Sequence, residues 1–106
     1  MPRTYSKQFI DELNKANPNR AGIALAHACV TANLPAKYVA YALEVTRMTV
    51  FSWFRGKHIR HKNLLKIEAM TDLIEADLVK GILPAKNNAA AKAYLEDMVG
   101  RSFDEK

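Results

Sequence analysis

Between Val45 and Ile67 the chain has no acidic residue but six basic ones: Arg47, Arg55, Lys57, Arg60, Lys62 and Lys66. His58 and His61 lie inside the same stretch and would add charge on protonation. All 106 residues together carry a formal net charge of +5, from 16 Lys+Arg and 11 Asp+Glu, so the rest of the chain is close to neutral. Positive charge gathered in one short stretch is chemistry for anions, and the phosphates of a nucleic acid are the polyanion it suits best. An acidic run of Glu68, Asp72, Glu75 and Asp77 follows at once. The expected molecule therefore has one face built for anions and another that is not.

Other constellations offer less. His58-Ile59-Arg60-His61 brings two imidazoles close, but no second Cys or nearby carboxylate completes a four-ligand metal set, and Arg60 opposes a cation. Phosphate contact or solvation accounts for them better. Cys29 is the single cysteine; it cannot form an internal disulfide and reads as a small core residue of a protein kept in a reducing compartment. Glu68, Asp72 and Glu75 share a helix face but have no His partner or Gly-rich loop beside them, so they read as a solvated face. No nucleophile–base pair or phosphate-cradling glycine loop occurs. The expectation is a binding protein, not an enzyme, with no cofactor and no metal. No apolar run approaches the roughly 20 residues of a membrane span. The start, Met1-Pro2-Arg3-Thr4-Tyr5-Ser6-Lys7, lacks the apolar core of a secretion signal, so a cytoplasmic protein is expected.

The elements that must position the basic stretch are helical. With 49% hydrophobic residues, abundant Ala, four Gly and four Pro, the chain reads as one all-α domain, residues 1–106, a compact bundle of five to six short helices. Ser6 caps a first helix to about Ala16, with Phe9, Ile10 and Leu13 inward. A second runs from Pro18 to Ala32, Pro18 taking the first helical position. A third covers Ala36–Leu43 and buries Val39, Ala40 and Leu43. Glu44-Val45-Thr46 is a tight turn, and Thr46 caps a fourth helix from Arg47 to about Arg55, with Gly56 at its C-terminal end. After the basic loop, Asn63 caps a helix from Leu64 to about Lys80, burying Leu64, Ile67, Met70 or Thr71, Ile74 and Leu78. Gly81 and Pro84 end it. Asn88 caps a last helix to Val99, and the tail from Gly100 is expected to fray.

Two short helices joined by a three-residue turn, with a Gly and a basic loop after the second, describe a helix-turn-helix over about residues 35–55. Ala40 is small enough for close helix approach, Val45 anchors the turn, and Val50 and Trp53 form the buried side of the second helix. Phe54 flanks them, and Arg47, Met48, Phe51, Ser52 and Arg55 are left facing out. The stretch Leu34–Lys57 resembles the phage-repressor and Cro-like helix-turn-helix family without a gap. Val39-Ala40, Leu43, Val45-Thr46-Arg47, Thr49-Val50, Trp53 and Gly56-Lys57 carry the match, and Asn63–Ile67 extends it. Two positions depart from that family's pattern. Glu44 stands where Gly is usual, in a turn position that often needs positive φ. Pro35-Ala36 replaces a polar cap and the Gln after it, a residue that commonly meets a phosphate; Lys37 is the available substitute.

The resemblance implies a sequence-specific regulator of transcription that inserts helix 46–55 into the major groove of double-stranded DNA. Arg47, Met48, Phe51 and Ser52 are then the base-contacting residues, Arg47 through guanine O6 and N7. Lys37, Thr46, Thr49, Arg55, Lys57, His58, Arg60 and Lys62 are the phosphate contacts. The resemblance also implies a homodimer on a palindromic site, for which the last helix, with Tyr94, Leu95 and Met98, is the candidate interface. Two alternatives stay open. A helix-turn-helix of this size can grip a partner protein such as a polymerase, nuclease or toxin, with Met48 and Phe51 as the patch. Non-specific packaging of nucleic acid fits less well, because the charge is localised and no basic tail is present.

Overall fold

The structure, a computed structural model, describes residues 5–103. Among these the expected all-α architecture forms from six helices and no strand: α1 (Lys7–Asn14), α2 (Ala21–Ala32), α3 (Ala36–Leu43), α4 (Arg47–Phe54), α5 (His61–Val79) and α6 (Asn88–Val99). The core takes one side of α1, α4, α5 and α6, whereas α2 and α3 are buried over more than half of their circumference. Ile23, Leu25, Val39, Val50, Phe54, Ile67, Ile74 and Leu95 are fully buried in it, together with Leu34 from the α2–α3 connection. On α5 the buried stripe is Ile67, Met70, Thr71 and Ile74, with Leu64 and Leu78 half-buried at its ends. Cys29 is buried as a small core residue, and desolvation pushes its thiol pKa up, so it stays protonated and inert.

Side-chain caps fix the starts of α1, α4 and α6, and α2, α3 and α5 begin without one. The Ser6 hydroxyl accepts the Phe9 N–H at 3.1 Å at the start of α1. The start of α2 differs from expectation: the helix begins at Ala21, and Pro18 lies in the turn before it. Asn17 accepts the Asn19 N–H through its side chain at 3.0 Å, and its carbonyl takes the Arg20 N–H at 3.3 Å. That turn uses the donors before helical hydrogen bonding can begin. α5 starts at His61, earlier than Asn63 suggested, because Arg60 is the last extended residue. Asn63 lies within the first turn, donating its backbone N–H to the Arg60 carbonyl at 2.9 Å. At α6 the cap is Asn87, not Asn88. Either side chain could serve, and the extended backbone of Asn87 aims its Oδ1 at the Ala90 N–H, 2.8 Å away.

Three successive helices end by one device. After α2, α3 and α4 a left-handed residue (Asn33, Glu44 and Gly56) lets the chain fold its N–H groups back onto the last carbonyls. The closing bonds run from Leu34 N–H to Cys29 O at 2.9 Å, Val45 N–H to Ala40 O at 3.1 Å and Lys57 N–H to Ser52 O at 3.1 Å. Asn33 is held further by its side-chain amide, which donates to the Ala85 carbonyl at 2.8 Å.

The tail does not fray as far as it is described. The Phe103 ring is buried, stacked on Tyr41 at 5.5 Å and Tyr38 at 6.5 Å, and its N–H donates to Glu96 Oε2 at 2.7 Å. Burying an aromatic ring offsets the entropy of ordering the short segment that carries it. Residues 104–106 of the expected frayed tail lie outside the described residues.

Candidate nucleic-acid interface

α4 opens at a capped end. Thr46 Oγ1 accepts the Thr49 N–H at 3.1 Å, and the two hydroxyls are 2.9 Å apart. The inner side of α4 is Val50, Trp53 and Phe54, all buried as expected. Packing from below fixes its height. A Cβ at Gly22 of α2 would stand 2.2 Å from the Trp53 carbonyl oxygen, so α2 and α4 cross at a distance only glycine permits. The sequence signal was a lone Gly inside an otherwise Ala-rich helix, and its role became visible only when the helix it meets was known.

The outer side of α4 presents its first turn to solvent. Arg47 is exposed, and Met48 is 80% exposed. Two grooves flank the helix. One, between α3 and the start of α4, is lined by Lys37, Tyr41, Val45, Thr46 and Arg47. The other, between α4 and the start of α5, is lined by Thr49, Ser52, His58, Arg60, Lys62 and Asn63. Cationic and hydroxyl side chains thus lie on both sides of α4. Arg55 and Lys57, exposed where the chain leaves α4, continue the basic surface. Arg47, Arg55, Lys57, Arg60 and Lys62 make no ion pair with a described carboxylate. The N–H groups of the first turns of α4 and α5 add partial positive charge to the same surface.

Phe51 is the predicted outward residue that the fold treats differently. Its ring is half-buried, edge-on to Phe9 at 5.8 Å and to Phe54 at 5.9 Å. The aromatic neighbours draw it toward α1, and Met48 remains the exposed large apolar side chain of α4. Ser52 is half-buried and sits in the second groove.

The turn before α4 has a support that sequence reasoning missed. Glu44 adopts φ 60° in the left-handed region, as its position in the turn suggested; a non-Gly residue there costs roughly 1 kcal/mol. The Arg101 guanidinium donates to the Tyr41 carbonyl and to the Ala42 carbonyl at 3.4 Å, and lies 3.7 Å from Glu44 Oε1. A cation at the C-terminal end of α3 is favourably placed against the helix dipole. The α3 start, by contrast, has no side-chain cap, as Pro35 foretold.

The expected interface on α6 is corrected by packing. Leu95 is fully buried against the protein's own core, so it cannot meet a partner. Tyr94 is half-buried and donates its hydroxyl to Asp77 Oδ2 at 2.5 Å; burial first, then this bond, raises its pKa. Met98, half-buried, borders an open groove.

The chain matches no known protein family, no curated protein and no solved structure.

Proposed function

We propose that this protein is a sequence-specific double-stranded DNA-binding regulator of transcription, acting as a homodimer on a palindromic site. α3, the turn at 44–46 and α4 serve as a helix-turn-helix, with α4 in the major groove. One observation carries the reading: the exposed first turn of α4 stands between two grooves lined by cations and hydroxyls. Of these cations, Arg47, Arg60 and Lys62 make no ion pair with a described carboxylate and are available to phosphates. Arg47 reads a guanine through O6 and N7, and Met48 packs on a thymine methyl. Thr49, Ser52, Arg60 and Lys62 hold one phosphate strand, and Lys37 and Thr46 the other, fixing register without reading sequence.

Selection of bound duplexes from a random library tests this. The expected product is a palindrome whose half-sites lie about one helical turn, ~34 Å, apart. The protein measures 31 × 30 × 29 Å, so two copies side by side suit that spacing. No enrichment of any duplex sequence would refute the reading.

A protein-binding role is favoured by the exposure of Met48 at the tip of α4. It requires a partner whose affinity is insensitive to salt and lost on Met48→Glu, together with failure of the duplex selection.

A further inference from the structure

We infer that the outer face of α5, with the groove beside it, is the surface through which two copies of this chain pair. α5 leaves Leu65 69% exposed and Leu73 50% exposed, and Ala69 lies between them, at four-residue spacing on one side of the helix. Beside this ridge runs a groove lined by Leu43 of α3, Ala69, Met70 and Leu73 of α5, and Met98 and Val99 of α6. The sequence hid this face because Leu65 and Leu73 fall outside the buried stripe of α5.

The occupant is argued from the face itself. The groove's two charged lining residues are Glu44 and Lys66, one of each sign, and the exposed residues Glu68 and Asp72 flank the ridge, so this face carries no excess of positive charge on a chain of net charge +5. Two basic molecules can meet there without repelling each other. A two-fold contact places the same patch on both sides, so any residue pair across it occurs twice. Here a ridge and a groove lie side by side, so the Leu65–Leu73 ridge of each copy enters the groove of the other. The same pairing sets Glu44 of each copy against the other copy's Lys66. The groove begins at Glu44, immediately before α4, so a second copy there sits beside the recognition helix and leaves it free. This deepens the homodimer reading above and rests on it.

Sedimentation of the full chain without DNA separates this surface from the DNA reading. The wild-type chain is expected to be a concentration-dependent dimer. Leu73→Glu should raise its dissociation constant by at least about tenfold with an unchanged helical circular-dichroism spectrum. Lys66→Glu and Glu44→Lys should each weaken the dimer alone, and an equimolar mixture of the two should pair again, because each then meets its opposite charge. A wild-type chain that stays monomeric into the millimolar range overturns the proposal. So does a dimer indifferent to Leu73→Glu, or two charge variants that fail to pair on mixing while both remain folded. If the proposal fails in these ways but duplexes are still selected, the DNA reading stands without this surface.

Discussion

The surface around α4 and the outer face of α5 are both open to solvent, but they are built on opposite principles. Around α4 the exposed groups are cations and hydroxyls with the single large apolar side chain of Met48, aligned by a helix whose inner side is wholly committed to Val50, Trp53 and Phe54. On α5 the exposed apolar residues Leu65, Ala69 and Leu73 stand among the exposed carboxylates Glu68 and Asp72, and the groove beside them is lined by one charged residue of each sign, Glu44 and Lys66. The first surface suits a long, hydrated polyanion whose binding depends on salt. The second suits a dry contact of limited extent, in which shape and a few apolar anchors decide affinity. Both stand on the same core, so a substitution reveals which surface it serves by which measurement it moves.

The largest effect belongs to the shared support. Trp53→Ala removes a buried indole beneath α4 and should cost about 3–5 kcal/mol, read by urea unfolding; DNA binding and pairing should then fail together. A loss below about 1 kcal/mol would mean that α4 is held by something else. Gly22→Ala separates the two surfaces. Its methyl group would meet the Trp53 carbonyl, displacing α4 at a cost of about 1–3 kcal/mol. The expected result is a marked loss of DNA affinity with pairing retained, because the α5 face does not touch that crossing. Equal loss of both would show that the surfaces are not independent.

Arg47→Ala should be narrower still. It is expected to remove about 1–3 kcal/mol of discrimination at a single base pair of the selected site, leaving thermal unfolding and sedimentation unchanged; preserved base preference would assign readout elsewhere. The smallest change is Glu44→Gly, best measured in the Leu73→Glu background so that pairing does not intrude. Glycine relieves the left-handed strain, and the ion pair lost with Arg101 is exposed and worth little. Stability should rise by up to about 1 kcal/mol. A fall would mean that Arg101 holds the turn chiefly through Glu44 and not through the α3 carbonyls.

Local chemistry made much of this legible in the sequence. Ser6 and Thr46 cap the helices they were expected to cap, and the third helix begins and ends where its apolar spacing places it. Thr46, Val50 and Trp53 depend on neighbours three or four residues away, and such contacts are written in order along the chain. What escaped was long-range. Gly22 has meaning only against Trp53, and Arg101 only against Tyr41, Ala42 and Glu44. Leu95 looked like an interface residue because periodicity identifies an apolar face without saying whether its own core or a second molecule covers it. Phe51 shows the same limit, since Phe9 draws it half inward from another helix. Consecutive asparagines, as at 87 and 88, offer two equal caps, and only the backbone chooses between them.

The central claim is that the cations around α4 serve DNA phosphates. The most direct test is the salt dependence of affinity for the selected duplex, measured on the full chain. With about six phosphates neutralised by each of the two copies, log affinity of the dimer should fall against log salt with a slope of about −10. Alanine at Arg60 and Lys62 together removes two cations from each copy and should make that slope shallower by about four. A slope near zero in the wild-type chain, or one unchanged in the double variant, would contradict the account.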